Sequence, residues 1–319
     1  MATGQTLRRA ETWAVVVLSA LCLQCGSTTT GPSAVPSAQL APMAALSPGV
    51  TTPAVVLPPE VLVGAGDIGL CTGGGNPQAT ARLLDAIDGT VVALGDNAYM
   101  SGTAEDYRNC YDPTWGRHKS RTRPVPGNHE YETAGGAPYF DYFGMNAGPP
   151  GLGYYSFDLG NWHVIALNSN IAVGAGSAQG RWLRADLAAS QAQCTIAYWH
   201  FPRFSSGRHG DQPQMRDFWS LLYDAGAEIV LSGHDHDYER FGLQDADGGA
   251  DPVRGLRQFV VGTGGAVPTP FIDVRPNSEA RITNTLGVLK LTLGAGRYSW
   301  ELVPVPGSGS GDAGSATCH

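Results

Sequence analysis

The sequence predicts an α/β fold, and three observations carry that prediction. Between residues 60 and 231, apolar runs of strand length alternate with amphipathic stretches of helix length. Past residue 257 the pattern changes to strands joined by turns, and 287–293 and 298–303 flank a glycine-containing turn as an antiparallel hairpin would. Five of the apolar runs also end in a loop bearing Asp, Asn or His. Those loops fall at the carboxyl ends of strands, where open α/β sheets place their chemistry.

Taken in order, the strand at 60–64 opens the domain. Asn76-Pro77 is a helix start with proline at the first helical position, and Leu83, Leu84 and Ile87 form a buried stripe before Gly89 ends it. The strand at 90–94 completes a βαβ unit. Residues 100–160 are rich in aromatics, glycine and proline and read as long loops around a site mouth, interrupted by the short run Arg123-Pro124-Val125. A strand follows at 162–167, then a helix at 177–192 with Trp182, Leu183 and Leu187 on one face. A strand at 195–199, a helix at 213–225 burying Met215, Phe218 and Leu222, and strands at 228–231 and 257–262 lead to the hairpin.

Composition sets the outer limits. The 319 residues carry a formal charge of −8, which argues against a nucleic-acid partner but leaves room for an anionic substrate held by metals. Arg8-Arg9 and the apolar run AVVVLSALCL at 14–23 have the layout of an export signal, so 1–26 reads as a signal peptide and the protein as exported: secreted, periplasmic or cell-surface. The run is too short for a transmembrane anchor. Cys25 is a lipidation candidate, although Gln24 stands where a small residue is expected. Residues 27–58 are a Ser/Thr/Ala/Pro linker too poor in apolar surface to order itself. Residues 59–305 then form the catalytic domain, and 306–319 a Gly/Ser-rich flexible tail. Cys71, Cys110, Cys194 and Cys318 follow the signal and allow three pairings. Joining Cys71 to Cys110 would staple the loops after Asp67 and Asp96; separate buried thiols are the alternative.

The five junctions are the chemical core. Val61-Leu62-Val63 leads to Gly66-Asp67-Ile68-Gly69, Val91-Val92-Ala93-Leu94 to Gly95-Asp96-Asn97-Ala98-Tyr99, and Val125 to Gly127-Asn128-His129-Glu130. Tyr198-Trp199 leads to His200, and Ile229-Val230-Leu231 to Gly233-His234-Asp235-His236. Carboxylates, an amide and imidazoles converging on one sheet edge are what a pair of metal ions requires.

In their order and strand context these motifs (GDIG, GDNAY, GNHE, YWH and GHDHDYER) resemble the calcineurin-like metallophosphoesterases, in their purple acid phosphatase-like branch, over roughly residues 60–303. The resemblance implies a four-layer αββα sandwich, two mixed β-sheets packed face to face between helical layers. It also implies that Asp96 bridges two metals, with Asp67, Tyr99 and His236 on one and Asn128, His200 and His234 on the other. The general family pattern has a histidine two positions after the first Asp, where this chain has Gly69. The resemblance implies that Tyr99 replaces that ligand, as in the purple acid phosphatase branch, and that its tyrosinate favours Fe(III) beside a divalent Zn, Fe or Mn; a packed tyrosine beside an altered, weaker metal site is the other reading. Two carboxylates and a tyrosinate against such a pair leave about two positive charges to attract phosphate.

The activity so implied is hydrolysis of a small-molecule phosphomonoester by in-line attack of a metal-bound hydroxide. Phosphodiesterase, nucleotidase or phytase use of the same site is the alternative, with substrate choice placed in loops 100–160 and 201–212. An intact ligand set speaks against a non-catalytic metal-binding module. His129, next to a ligand, would orient substrate or protonate the leaving alkoxide. His209, in FPRFSSGRHG, stands where the resemblance implies a substrate-facing histidine, with an exposed loop histidine as the other reading. Elsewhere, His163 reads as a hydrogen-bonded core residue, His118 as solvated in a polar run, and His319 as part of the tail. Tyr238-Glu239-Arg240 reads as a brace, and Arg203 and Arg208 as weaker candidates for phosphate contact.

Overall fold

In the computed structural model, which describes residues 58–319, thirteen strands pair into two mixed sheets. The export signal and all of the linker but Pro58 lie outside the described residues. The first sheet takes β1 (Glu60–Ala65), β2 (Thr90–Leu94), β3 (Thr122–Val125), β11 (Gly287–Gly294), β12 (Arg297–Pro304) and β13 (Ala313–Thr317), in the order β13-β12-β11-β1-β2-β3. The second takes β4 (Tyr155–Leu159), β5 (Trp162–Ala166), β6 (Cys194–Tyr198), β7 (Ile229–Ser232), β8 (Tyr238–Gln244), β9 (Leu256–Val261) and β10 (Ser278–Ile282), in the order β10-β8-β9-β7-β6-β5-β4. Parallel strands β1-β2-β3 form one side of the first sheet, ending at the edge strand β3, and parallel β5-β6-β7-β9 form the centre of the second, flanked by antiparallel strands.

Side-chain alternation explains why the sheets stack. Val164, Ile196, Tyr198, Ile229, Leu231, Phe259 and Val261 join Leu62, Val91, Leu289, Leu291 and Trp300 of the first sheet in one buried cluster. Their neighbours Ile165, Leu167, Ala197, Trp199, Val230 and Val260 face the other way, onto Leu183, Phe218, Trp219 and Leu222. Those four belong to α4 (Ala178–Ala189) and α5 (Arg216–Asp224), the helical layer of the second sheet. Strands buried on both faces read as continuous apolar runs, as the sequence shows. On the first sheet, α1 (Pro77–Asp85) starts where expected: the Asn76 side chain accepts from Ala79 N, and Pro77 occupies the first turn.

The region 100–160 is more ordered than long loops would be. It holds α2 (Ala104–Asp106), which runs into a π-helical turn at Tyr107–Tyr111, then α3 (Ala137–Phe143) and the edge strand β4. Its aromatics explain the order: Tyr107, Tyr111, Tyr142 and Phe143 stack on one another.

The expected Cys71–Cys110 bond forms, and Cys194 pairs with Cys318. The second bond corrects the reading of 306–319 as a flexible tail. Ala313–Thr317 adds to the first sheet as β13 beside β12, and His319 Nδ1 meets Glu228 Oε2 at 2.7 Å. Backbone pairing and a covalent bond to β6 order a segment whose small side chains carry no periodic signal. His118 differs too: it is buried, with Nε2 3.3 Å from the Ala81 carbonyl. His163 is the bonded core residue expected, held by Asp158 at 2.9 Å and Asp186 at 2.8 Å.

Candidate metal centre

The five junctions converge from both sheets, three from the first and two from the second, rather than from one sheet edge. Asp67, Asp96 and Asn128 follow the ends of β1, β2 and β3, while His200 and His234 follow β6 and β7. Three of these residues leave their strands through the left-handed backbone region that side chains seldom adopt: Asp67 at φ 60°, Asp96 at 49° and His234 at 74°. The turn swings each side chain across the strand end. Close approach dictates the glycine of GNHE, since a Cβ on Gly127 would lie 2.1 Å from Asp96 Oδ1.

The seven expected ligands meet. Tyr99 Oη lies 3.0 Å from Asp67 Oδ1, 3.2 Å from Asp96 Oδ2 and 3.2 Å from His236 Nε2. His200 Nε2 lies 3.3 Å from the same Asp96 Oδ2 and 3.1 Å from Asn128 Oδ1. Ligand atoms of Asp96, His200 and His234 all fall within 4.8 Å of one another. Asp96 Oδ2 thus touches both donor sets.

The tautomers define what this cluster accepts. Carbonyl oxygens only accept, so His200 Nδ1 donates to Leu94 O and His236 Nδ1 donates to Val267 O, each at 2.9 Å. Their Nε2 lone pairs then face carboxylate oxygens, His236 Nε2 lying 3.4 Å from Asp67 Oδ1. Opposed lone pairs need a cation between them, either a proton or a metal. With protons alone, burial disfavours the charged imidazoles, yet Asp96 beside His200 and Asp67 beside His236 push both up to about 9. His234, by contrast, is driven down to about 3 by burial and the charges of His200 and His209, and so stays neutral. Burial opposes ionisation of Asp96, but His200 and His129 hold it well below the usual carboxylate range. Burial, Asp67 and Asp96 raise the Tyr99 hydroxyl. A dense set of acceptors with one shared carboxylate fits two metal ions.

His129 and His209 flank the set. His129 donates through Nδ1 to the Met100 carbonyl, its ring centroid is 4.6 Å from that of Tyr99, and its Nε2 is 3.8 Å from Asp96 Oδ2. His209 packs on the His234 ring at 4.3 Å and bonds Asp235 Oδ1 through Nδ1 at 3.0 Å. Arg203 is turned away, bonding Ala246 O and stacking on Phe204.

Among the carboxylates inside the quoted motifs that the sequence leaves without a role, Glu130 and Asp235 brace the site. Glu130, fully buried, accepts from the backbone N–H groups of Asn97 at 2.8 Å, Ala98 at 3.2 Å and Gly127 at 2.7 Å, tying the GDNAY loop to the GNHE loop. Burial and the charge of Asp96 push its carboxyl up to about 7, against the pull of those N–H groups. Asp235 accepts from Ser205 Oγ and from the His209 amide, fixing the His209 loop beside the two ligand histidines. A carboxylate embedded in a metal motif gives the signal; what it braces is a long-range contact.

Residues 61–238 match the family model described as calcineurin-like phosphoesterase, and the chain belongs to that family. Among curated relatives, purple acid phosphatase 15 of Arabidopsis thaliana is 29% identical over 212 residues, covering 55% of this chain and 40% of that protein. Purple acid phosphatase 21 of the same plant is 32% identical over 216 residues, covering 60% and 46%. The chain thus spans less than half the length of these relatives. Purple acid phosphatase PPD1 from yellow lupin (Lupinus luteus) seeds superimposes with a TM-score of 0.73 at 18% identity, over 81% of this chain and 54% of that one. GAP50, described as the anchor in the inner membrane complex of Plasmodium, gives 0.62 at 14% identity, over 82% and 90%. Those two likenesses bear out the sandwich of two mixed sheets with flanking helices.

Proposed function

We propose that the protein is an exported binuclear metallophosphatase that hydrolyses phosphomonoesters. The observation that carries this reading is a single shared oxygen: Asp96 Oδ2 lies 3.2 Å from the Tyr99 hydroxyl and 3.3 Å from His200 Nε2. Asp67, Tyr99 and His236 would hold one ion with Asp96, and Asn128, His200 and His234 the other. A carboxylate and a phenolate suit Fe(III); an amide and two imidazoles suit a divalent Zn, Fe or Mn. Bound there, the ions would acidify a water and draw charge from the phosphoryl oxygens.

The side chains supply orientation and protons. His129, its Nδ1–H fixed on the Met100 carbonyl, would give a proton from Nε2 to the leaving alkoxide when the ring is doubly protonated. His209, steadied by Asp235, would orient the substrate from over His234. Two disulfides support an oxidising compartment and hence export. Among the described residues no helix is long and apolar enough to cross a membrane. The catalytic unit is assigned to 59–305, to which β13 adds an edge strand.

The test is metal analysis and a visible spectrum on protein supplied with iron and zinc, followed by assays on p-nitrophenyl phosphate and its bis-ester. Two bound ions, a violet tyrosinate-to-iron band and faster monoester cleavage are expected. Faster bis-ester cleavage would move the assignment to a diesterase. Two ions without turnover of either ester would make the chain a non-catalytic module.

A further inference from the structure

We infer that the site takes phosphate monoesters with an apolar alkyl or aryl leaving group, recognised by a proline-stiffened strap at residues 266–275; this rests on the phosphomonoesterase reading. The strap, AVPTPFIDVR, is hydrogen-bonded to the centre at its start and to the His209 loop toward its end. Ala266 N donates to Asp67 O at 2.8 Å, Thr269 N donates to His236 O at 2.9 Å, and the Val267 carbonyl receives His236 Nδ1. Farther on, Ile272 N donates to Ser206 O and Arg275 N to Ser206 Oγ, each at 2.9 Å, three residues before His209. The strap thus runs from the Asp67–His236 half of the centre to the loop that carries His209.

Its side chains do not use that position for charge. Val267, Ile272 and Val274 are exposed at 42%, 66% and 57%. Met100, whose carbonyl holds His129, adds a fourth exposed apolar side chain beside Tyr99. Only three other large hydrophobics are comparably exposed among the described residues (Met145, Leu152 and Val253), so more than half of the exposed set lies on segments bonded to site histidines or to the His209 loop. Exposed apolar groups concentrated beside a polar centre mark a recognition surface. Pro268 and Pro270 limit the strap's freedom, so little ordering entropy is lost when a ligand covers it.

The cations near the mouth point the same way. Arg275 is committed to Asp211 at 3.2 Å and Asp273 at 2.8 Å, and Arg203 to Ala246 O. Arg208, exposed beside His209, is the one arginine of the His209 loop left for remote charges, fewer than a substrate with several phosphates would need. A single phosphoryl group on an apolar stem needs only the centre and the strap.

The experiment measures binding of methyl-, butyl-, hexyl- and octylphosphonate to the metal-loaded protein by calorimetry, and their inhibition of p-nitrophenyl phosphate hydrolysis. Full burial of a methylene tightens binding about fourfold, so a half-open strap should give about twofold per methylene, with an increasingly negative heat-capacity change. Ile272→Ser with Val274→Ser should flatten the series, whereas Val253→Ser should leave its slope intact. Equal affinity for methyl- and octylphosphonate would overturn the inference while leaving the phosphatase reading standing. A chain-length dependence that survives the double substitution would overturn the role of the strap. Failure to hydrolyse the aryl ester sinks the phosphatase reading separately, since phosphonate binding is read without turnover.

Discussion

The two donor sets that share Asp96 are unequal. One gathers a carboxylate, a phenol and an imidazole from Asp67, Tyr99 and His236; the other gathers a neutral amide and two imidazoles from Asn128, His200 and His234. The first is strung to the strap through Asp67 and His236, the second to the sheet edge through Leu94 O. The site would therefore offer two ions different charge, and charge would decide which ion suits which half.

Removing what the halves share gives the largest effect. Asp96→Asn should lower kcat/KM by roughly a thousandfold or more, the several kcal/mol that two ions contribute at a phosphoryl group. Metal analysis should find fewer than two ions per chain. Retention of both ions with near-normal turnover would mean that Asp96 does not bridge, and the comparison would lose its hinge.

Tyr99→Phe separates the halves. It removes a donor from the anionic set alone, so the violet band should vanish while a divalent ion still binds the other half. Before metal arrives, burial, Asp67 and Asp96 keep the phenol protonated. Loading the first half must therefore expel that proton, and its affinity should climb with pH more steeply than that of the amide-and-imidazole half. Proton release measured during separate iron and zinc titrations checks this; equal release from both would contradict the assignment of Tyr99.

Much of the centre was legible because ligands must be Asp, Asn, His or Tyr, and because they follow apolar strands recognisable by length. What escaped was set by partners far away in sequence. Glu130 sits within GNHE, but its role depends on Asn97 and Ala98 more than thirty residues earlier. The strap at 266–275 looks like an ordinary Pro-rich connection until His236 and Ser206 bind it, so the sequence points to substrate-facing loops only at 100–160 and 201–212. β13 is Ala, Gly, Ser, Ala, Thr, with no alternation to read; β12 and the Cys194–Cys318 bond make it a strand.

Glu130→Gln tests the brace between the halves. The change keeps the shape but weakens acceptance from three backbone N–H groups on the Asp96 and Asn128 loops. Loss of a partner that orients ligands costs about 10–100-fold in metal affinity or activity. Both ions should loosen together, which calorimetric metal titration would register. Weakening confined to one ion would show that the loops are braced independently.

The smallest effect contrasts the centre with His163, a histidine paired with carboxylates in a place where no metal is called for. At the centre, imidazoles raised by carboxylates would exchange protons for metal ions. His163 lies between Asp186 and Asp158, and the hydrogen bond to Asp186 leads in raising its pKa against the effect of burial. A folded value above the unfolded one, about 6.5, means that the protonated form stabilises the fold fully below that pH. The contribution fades as pH rises through the raised folded value. Melting temperatures of wild type and His163→Gln should therefore differ most near pH 5 and converge in alkali, with or without metal. A gap that stays constant with pH would mean that His163 contributes packing rather than charge, and the contrast with the metal histidines would rest on geometry alone.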